Sequence, residues 1–136
     1  MADVTVTAGS VVATSSTITQ QGTAGATITA GQTVYIDTAN NNVLKLADSN
    51  ASSLTATVAG IALNGASSGQ PVIYAVSGTL TCGFTATAGA VYVQSATAGG
   101  IAPVADLTTG WRTSILGIAT STTVLKLGIN NSDTAV

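Results

Sequence analysis

The sequence predicts an all-β protein, and three observations predict it. Apolar side chains recur at every second position through several stretches, as in Val72, Tyr74 and Val76, the spacing of strands with one buried face. Clusters of Gly, Ser and Asn punctuate these stretches at the places where turns belong. Helix formers are scarce, with no Glu, two Lys, and Thr and Val in abundance. The expected form is a small β-barrel or β-sandwich of short antiparallel strands, with at most one or two helical turns and an extended N-terminal arm.

The arm is residues 1–28. Val4-Thr5-Val6-Thr7 alternates, Val11-Val12 follows, and Ile18-Thr19-Gln20 is a third β-prone fragment. These pieces are too small-sided to build a core alone. A disordered tail carries Pro, Glu and Lys, whereas this segment is rich in Val and Thr, so the composition leans toward an arm that adds a strand to a neighbouring chain. Val4, Val6, Val11 and Val12 are its candidate contact residues.

The β-domain is residues 29–136. Thr33–Asp37 reads as a strand with Val34 and Ile36 on one face, Thr38–Asn42 as a turn with three consecutive Asn, and Val43–Leu46 as the returning strand. Asp48–Ser53 is a polar connection in which Asp48 is the expected cap of one helical turn. Gly60–Leu63, Val72–Val76 and Thr79–Cys82 are the next strands, with Ser77-Gly78 as the turn between the last two. Val91–Val93, Ile101–Val104 and Trp111–Ala119 follow, the last being the longest strand expected. Leu125, Leu127 and Ile129 then share a face opposite Lys126, and Asn130–Val136 reads as a fraying tail.

Part of the text repeats. Thr29-Ala30-Gly31-Gln32-Thr33-Val34-Tyr35 resembles Thr87-Ala88-Gly89-Ala90-Val91-Tyr92, and Gly60-Ile61-Ala62 returns as Gly117-Ile118-Ala119. Tyr35 to Ile61 and Tyr92 to Ile118 are each 26 residues apart. Matched landmarks at equal spacing point to a pseudo-repeat of 29–78 and 87–130. Coincidence in so Ala- and Gly-rich a chain is the competing reading.

Composition narrows the function. Only 6% of residues are charged, against ~25% in ordinary domains, which suits a large ordered assembly or the extracellular space. A net charge of −2, with Lys45, Arg112 and Lys126 far apart, argues against nucleic acid, which requires clustered cations. No run approaches ~18 consecutive apolar residues, so no membrane span is expected, and MADVTVTAGS has no signal-peptide pattern. The single Cys82 lies in an alternating apolar strand and reads as a buried thiol.

Catalytic constellations are missing. There is no histidine, which removes the common proton shuttle and His-based triads. The five acids, Asp3, Asp37, Asp48, Asp106 and Asp133, fall in the arm, loops, strand ends and tail rather than as a pair. Asp37 with Asn40–Asn42 departs from a calcium-loop pattern at Ala39. The Gly-rich pieces lack the lysine of a phosphate loop. Trp111 beside Arg112 is a candidate core or interface anchor, or a stacking platform for a sugar or base. The expectation is a non-enzyme with no cofactor or metal.

The order Gly60-Ile61-Ala62-Leu63, Gly69-Gln70-Pro71-Val72, Ser77-Gly78, Val91-Tyr92-Val93 and Gly117-Ile118-Ala119 resembles the capsid cement, or head decoration, proteins of tailed bacteriophages, over about Thr29 to Asn130. The hairpin Val34–Leu46 and the Thr/Ser-rich leader depart from that pattern. The resemblance implies a structural protein made in the host cytoplasm that clips onto the outer surface of a phage capsid. Its partners would be the major capsid protein and copies of itself, most commonly as a homotrimer. The alternative function is a glycan-binding or adhesive module of a virion fibre, which requires exposed aromatic rings.

Overall fold

The structure, a computed structural model, describes residues 3–136. It is all-β, with 47% of residues in strands and 7% helical. The strands are β1 (Val11–Ala13), β2 (Ile18–Thr23), β3 (Thr33–Asp37), β4 (Val43–Leu46), β5 (Gly60–Ala62), β6 (Pro71–Cys82), β7 (Val91–Gln94), β8 (Ile101–Pro103), β9 (Arg112–Ala119) and β10 (Val124–Ala135), with one α-helical turn, α1 (Ser53–Ala56), before β5 and 3-10 turns at Ala8–Ser10 and Val104–Asp106. All the ladders between them are antiparallel.

The long strand β6 organises the molecule. Ala75 pairs with both Thr19 and Ile61, Ser77 with both Ile18 and Gly128, and Thr81 with both Val12 and Val124. A strand has two edges, so β1 and β2 run along one edge of β6 while β5 and β10 share the other. The sheet order is β4-β3-β5-β6-β10-β9-β7-β8, and it reads as a mirror. β3, β4, β5 and β6 on one side occupy the places of β7, β8, β9 and β10 on the other.

The sheet encloses two cores, and the larger one also takes Tyr35, Ala47, Val58 and Ile61 from the β3–β5 side. In the smaller lobe, Val34, Leu44, Ala62, Val72 and Tyr74 face inward with Ala24, Ile28 and Ala66. This lobe closes into a ring, because Gly25 N–H donates to Leu44 O at 2.8 Å and Ala24 bridges Leu44. In the larger lobe, Leu80, Cys82, Leu116, Ala119, Leu125 and Leu127 pack with Phe84, Tyr92 and Ile101. The Phe84 and Tyr92 rings meet edge to face at 5.1 Å, a favoured aromatic geometry. Cys82 is buried, its thiol donating to the Phe84 and Thr123 carbonyls.

Ser77-Gly78 does not turn the chain. β6 runs unbroken through it, and Gly78 at φ +82° supplies a bend instead. A Cβ there would overlap the Ser16 carbonyl, so only glycine lets the 14–17 loop approach. Across the bend the side of β6 facing the larger core changes from odd to even positions. Ala75 packs into that core before it, and Leu80 and Cys82 after it. Such a switch is what a bulge produces in a period-two strand.

The arm expectation is corrected. Residues 1 and 2 lie outside the described residues, but the rest of 1–28 belongs to its own domain. Val4 N–H donates to Ile101 O of β8 at 2.9 Å and Thr7 N–H to Gly83 O just past β6 at 2.8 Å. The segment thus straps the open side of the larger lobe before β1 and β2 pair with β6. Val4 and Val6 turn toward the larger core while Thr5 and Thr7 are exposed. Gly31 and Gly83 make room for this: a Cβ on Gly31 would collide with Val6, and one on Gly83 would stand 2.7 Å from Val11 Cγ2. The boundary at 28/29 also dissolves, since Ile28 sits in the smaller core and pairs with Ala66.

Three smaller expectations change as well. Ser52, not Asp48, caps α1 in a capping box with Thr55, while the Asp48 carboxylate accepts from Asn50 N–H at 3.0 Å. The last residues do not fray: β10 continues to Ala135, and Val136 N–H donates to Trp111 O at 2.7 Å. β9, at 8 residues, is therefore shorter than β6 and β10 at 12 each.

Candidate interaction surface

Directly opposed residues of an antiparallel pair share a face, so the registers define what the larger lobe presents outward. One row runs Val12–Thr81–Val124 across β1, β6 and β10. The next runs Thr79–Lys126–Ile118–Val91 across β6, β10, β9 and β7. Leu80, Leu125 and Ala119, at the intervening positions, point into the core. Val12 is 53% exposed and Ile118 48%. The two rows therefore form an aliphatic and hydroxyl surface on which Lys126 is the single charge.

A hydroxyl cluster stiffens one margin of this face. Thr79 Oγ1 lies 2.7 Å from Thr14 Oγ1 and 2.6 Å from Ser16 Oγ, and the Thr17 hydroxyl donates to Thr79 O. The Thr14–Thr17 loop is thereby pinned to β6 through side chains where the β1 and β2 ladders break. Little conformational freedom is left there to lose on binding.

Of the five contact residues expected from the sequence, only Val12 lies on this face. Val4, Val6 and Val11 are turned into the larger core. Trp111 is half-buried just before β9, seven residues from Ile118, or about 23 Å of extended strand. Ile118, Val124, Lys126, Thr79 and Thr81 were missed. The alternation of Leu125, Lys126 and Leu127 hinted at an outward Lys126, but which residues join it depends on cross-strand register.

Elsewhere several polar groups are engaged in local structure. Lys45 Nζ and Asp37 Oδ2 form an ion pair at 2.9 Å across the β3–β4 hairpin. The Asp37 hydrogen bond and charge raise the Lys45 pKa above its ordinary value. Asp37 Oδ1 accepts from Ala39 N–H at 3.2 Å, and Asn41 and Asn42 take φ of 57° and 58°, the left-handed conformation that Asn tolerates. A groove of about 350 Å³ beside the strap is lined by Asp3, Gln32, Thr97 and Gly100. The Asp3 carboxylate there accepts from Ser95 Oγ at 2.7 Å. Among the described residues, no group of three or more His, Cys, Asp or Glu side chains could hold a metal ion, and no helix is long and apolar enough to cross a membrane.

No protein-family model matches the chain, and no curated protein matches it.

Proposed function

We propose that this protein is a structural virion component that binds the outer surface of a phage capsid, bridges neighbouring coat subunits and works as a homotrimer. The outward face of the larger lobe is the observation that carries the reading. Val12, Val124, Ile118 and Val91 with Thr79 and Thr81 make a pinned sheet surface that is nearly free of charge. Such a surface loses little hydration free energy when covered, because it carries few groups needing charged partners. The partner it suits is an ordered protein lattice that offers backbone and apolar contacts, here the major capsid protein. The resemblance of the Gly60–Leu63, Gly69–Val72 and Gly117–Ala119 motifs to decoration proteins is the reason for naming a capsid as the partner. Glycan binding draws less support: Tyr35, Tyr74, Tyr92 and Phe84 are all buried, which leaves Trp111 as the one half-exposed ring.

Co-sedimentation with expanded and unexpanded capsid shells tests the proposal, with a glycan array as the control. Binding to expanded shells is expected, lost in the double variant Val12→Asp/Ile118→Asp while its melting temperature stays near wild type. Equal binding by the double variant, or glycan capture without shell binding, would overturn it.

A further inference from the structure

The two lobes meet at a polar seam that is sealed from solvent. Thr33, Ser49 and Gln94 each have 0% exposure. Thr33 Oγ1, Ser49 Oγ and Gln94 Oε1 make no hydrogen bond with any protein atom. Thr33 comes from β3 and Ser49 from the connection after β4, both on the β3–β6 side of the sheet order, whereas Gln94 ends β7 on the other side. Hydrogen bonds through Ala47 and Ser95 link the three residues. Ala47 N–H donates to Thr33 O at 3.1 Å, and Gln94 Nε2 donates to Ala47 O at 2.8 Å and to Ser95 O at 3.1 Å. Ser49 N–H donates to that same Ser95 O at 3.1 Å. With both Nε2 protons directed to these carbonyls, the carboxamide is fixed and its oxygen is left as the unused atom.

The three unused atoms are chemically complementary. Two are hydroxyls that can donate, and one is an amide oxygen that can only accept, yet no hydroxyl bonds the oxygen directly. Buried polar atoms are rarely left so, and a bridging water that makes about three hydrogen bonds is the common resolution. We propose that the seam is an internal hydration site in which an ordered water links the lobes. The water donates to Gln94 Oε1 and accepts from the Thr33 and Ser49 hydroxyls. A cation suits the place poorly. The Ala47 and Ser95 carbonyls beside it are already accepting, from Gln94 Nε2 and from Ser49 N–H, and the Asp3 carboxylate is bonded to Ser95 Oγ. Six to eight oxygen ligands for a calcium-type ion are not present.

Near-isosteric removal of one hydroxyl in the full chain gives opposite signs for the two cases. If the water is present, Thr33→Val strands it and lowers the melting temperature by about 3–5 °C. If the hydroxyl has no partner, Thr33→Val removes a desolvated group and raises the melting temperature. Ser49→Ala provides the same test should Thr33→Val fail to fold. A crystal structure of the wild-type protein should show a water oxygen within hydrogen-bonding distance of Gln94 Oε1 and at least one of the two hydroxyls. A direct hydroxyl-to-amide bond, a metal ion at that position, or a rise in melting temperature for both variants would overturn the proposal.

Discussion

The two lobes follow one mirrored strand order but solve the open-edge problem differently. The smaller lobe closes on itself: Ala24 and Gly25, just beyond β2, bond to Leu44 of β4 and complete a ring around eight buried residues. The larger core gathers sixteen buried residues, Tyr35, Ala47, Val58 and Ile61 among them from the other side of the sheet, and its lobe does not meet its own edge. It borrows the N-terminal segment, whose Val4, Val6 and Val11 cover the gap between β8 and the end of β6. A sheet edge left bare would template pairing with other chains. Here both lobes are covered within one chain, so the outward sheet face, rather than a free edge, is what remains for a partner.

The largest expected effect tests whether the lobes are thermodynamically one unit. Leu116→Ala in the larger core and Leu44→Ala in the smaller should each cost about 2–5 kcal/mol in chemical denaturation. Both should retain a single transition, because β6 belongs to both cores. A Leu44→Ala curve that splits into two steps would break the comparison into two independent domains.

The mirrored glycines sharpen it next. A Cβ on Gly60 would overlap the Ala75 carbonyl of β6, and one on Gly117 would overlap the Lys126 carbonyl of β10. Gly60→Ala and Gly117→Ala should therefore destabilise similarly, by about 1–3 kcal/mol, and unequal losses would mean that the mirror is only topological.

The junction comes third. Asn131 Oδ1 accepts from Val58 N–H at 3.0 Å and Asn131 Nδ2 donates to Val58 O at 3.1 Å, so one side chain of β10 mimics a strand partner for the segment that enters β5. Asn131→Ala should cost about 1–3 kcal/mol in the same denaturation assay, more than the exposed neighbour change Ser132→Ala.

A smaller loss is expected from the strap. Val6→Ser removes part of a half-buried contact and should cost about 1 kcal/mol in denaturation. It should also speed amide exchange at Val4 and Thr7 before it affects the β9–β10 ladder.

The smallest effect is alkaline. Lys45 is raised by its Asp37 partner and Tyr74 by burial. A group raised on folding contributes fully below its unfolded pKa, and the contribution is lost as pH rises through the folded value. Stability should accordingly decline above about pH 10, and Tyr74→Phe should lessen the decline in a pH series of thermal melts.

The candidate face shows where reading the sequence stops. Leu125, Lys126 and Leu127 announce an alternating strand, and Val12 stands out as an apolar residue in a Thr-rich context. Nothing in the linear order says that Val12 and Val124 both oppose Thr81, or that Ile118 opposes Lys126, since a one-residue slip sends every side chain to the other face. The strap was misjudged for a related reason. Val4 and Val6 alternate whether their partner is another chain or the hollows over Gly31 and Gly83, and only those hollows decide between them.

By itself the sequence determined the local choices: strands where Val, Ile and Thr alternate, the turn at Asn40–Asn42, and a buried Cys82. Those follow from propensities and side-chain periods that act over a few residues. Tertiary structure alone decided that β6 stays continuous through Gly78, that Ser52 rather than Asp48 caps α1, and that residues 3–13 cover the molecule's own core. Each of these depends on a contact with a segment distant in sequence, or on competition between neighbouring donors and acceptors. Such contacts are set by the steric space and hydrogen-bond partners available once the chain has packed.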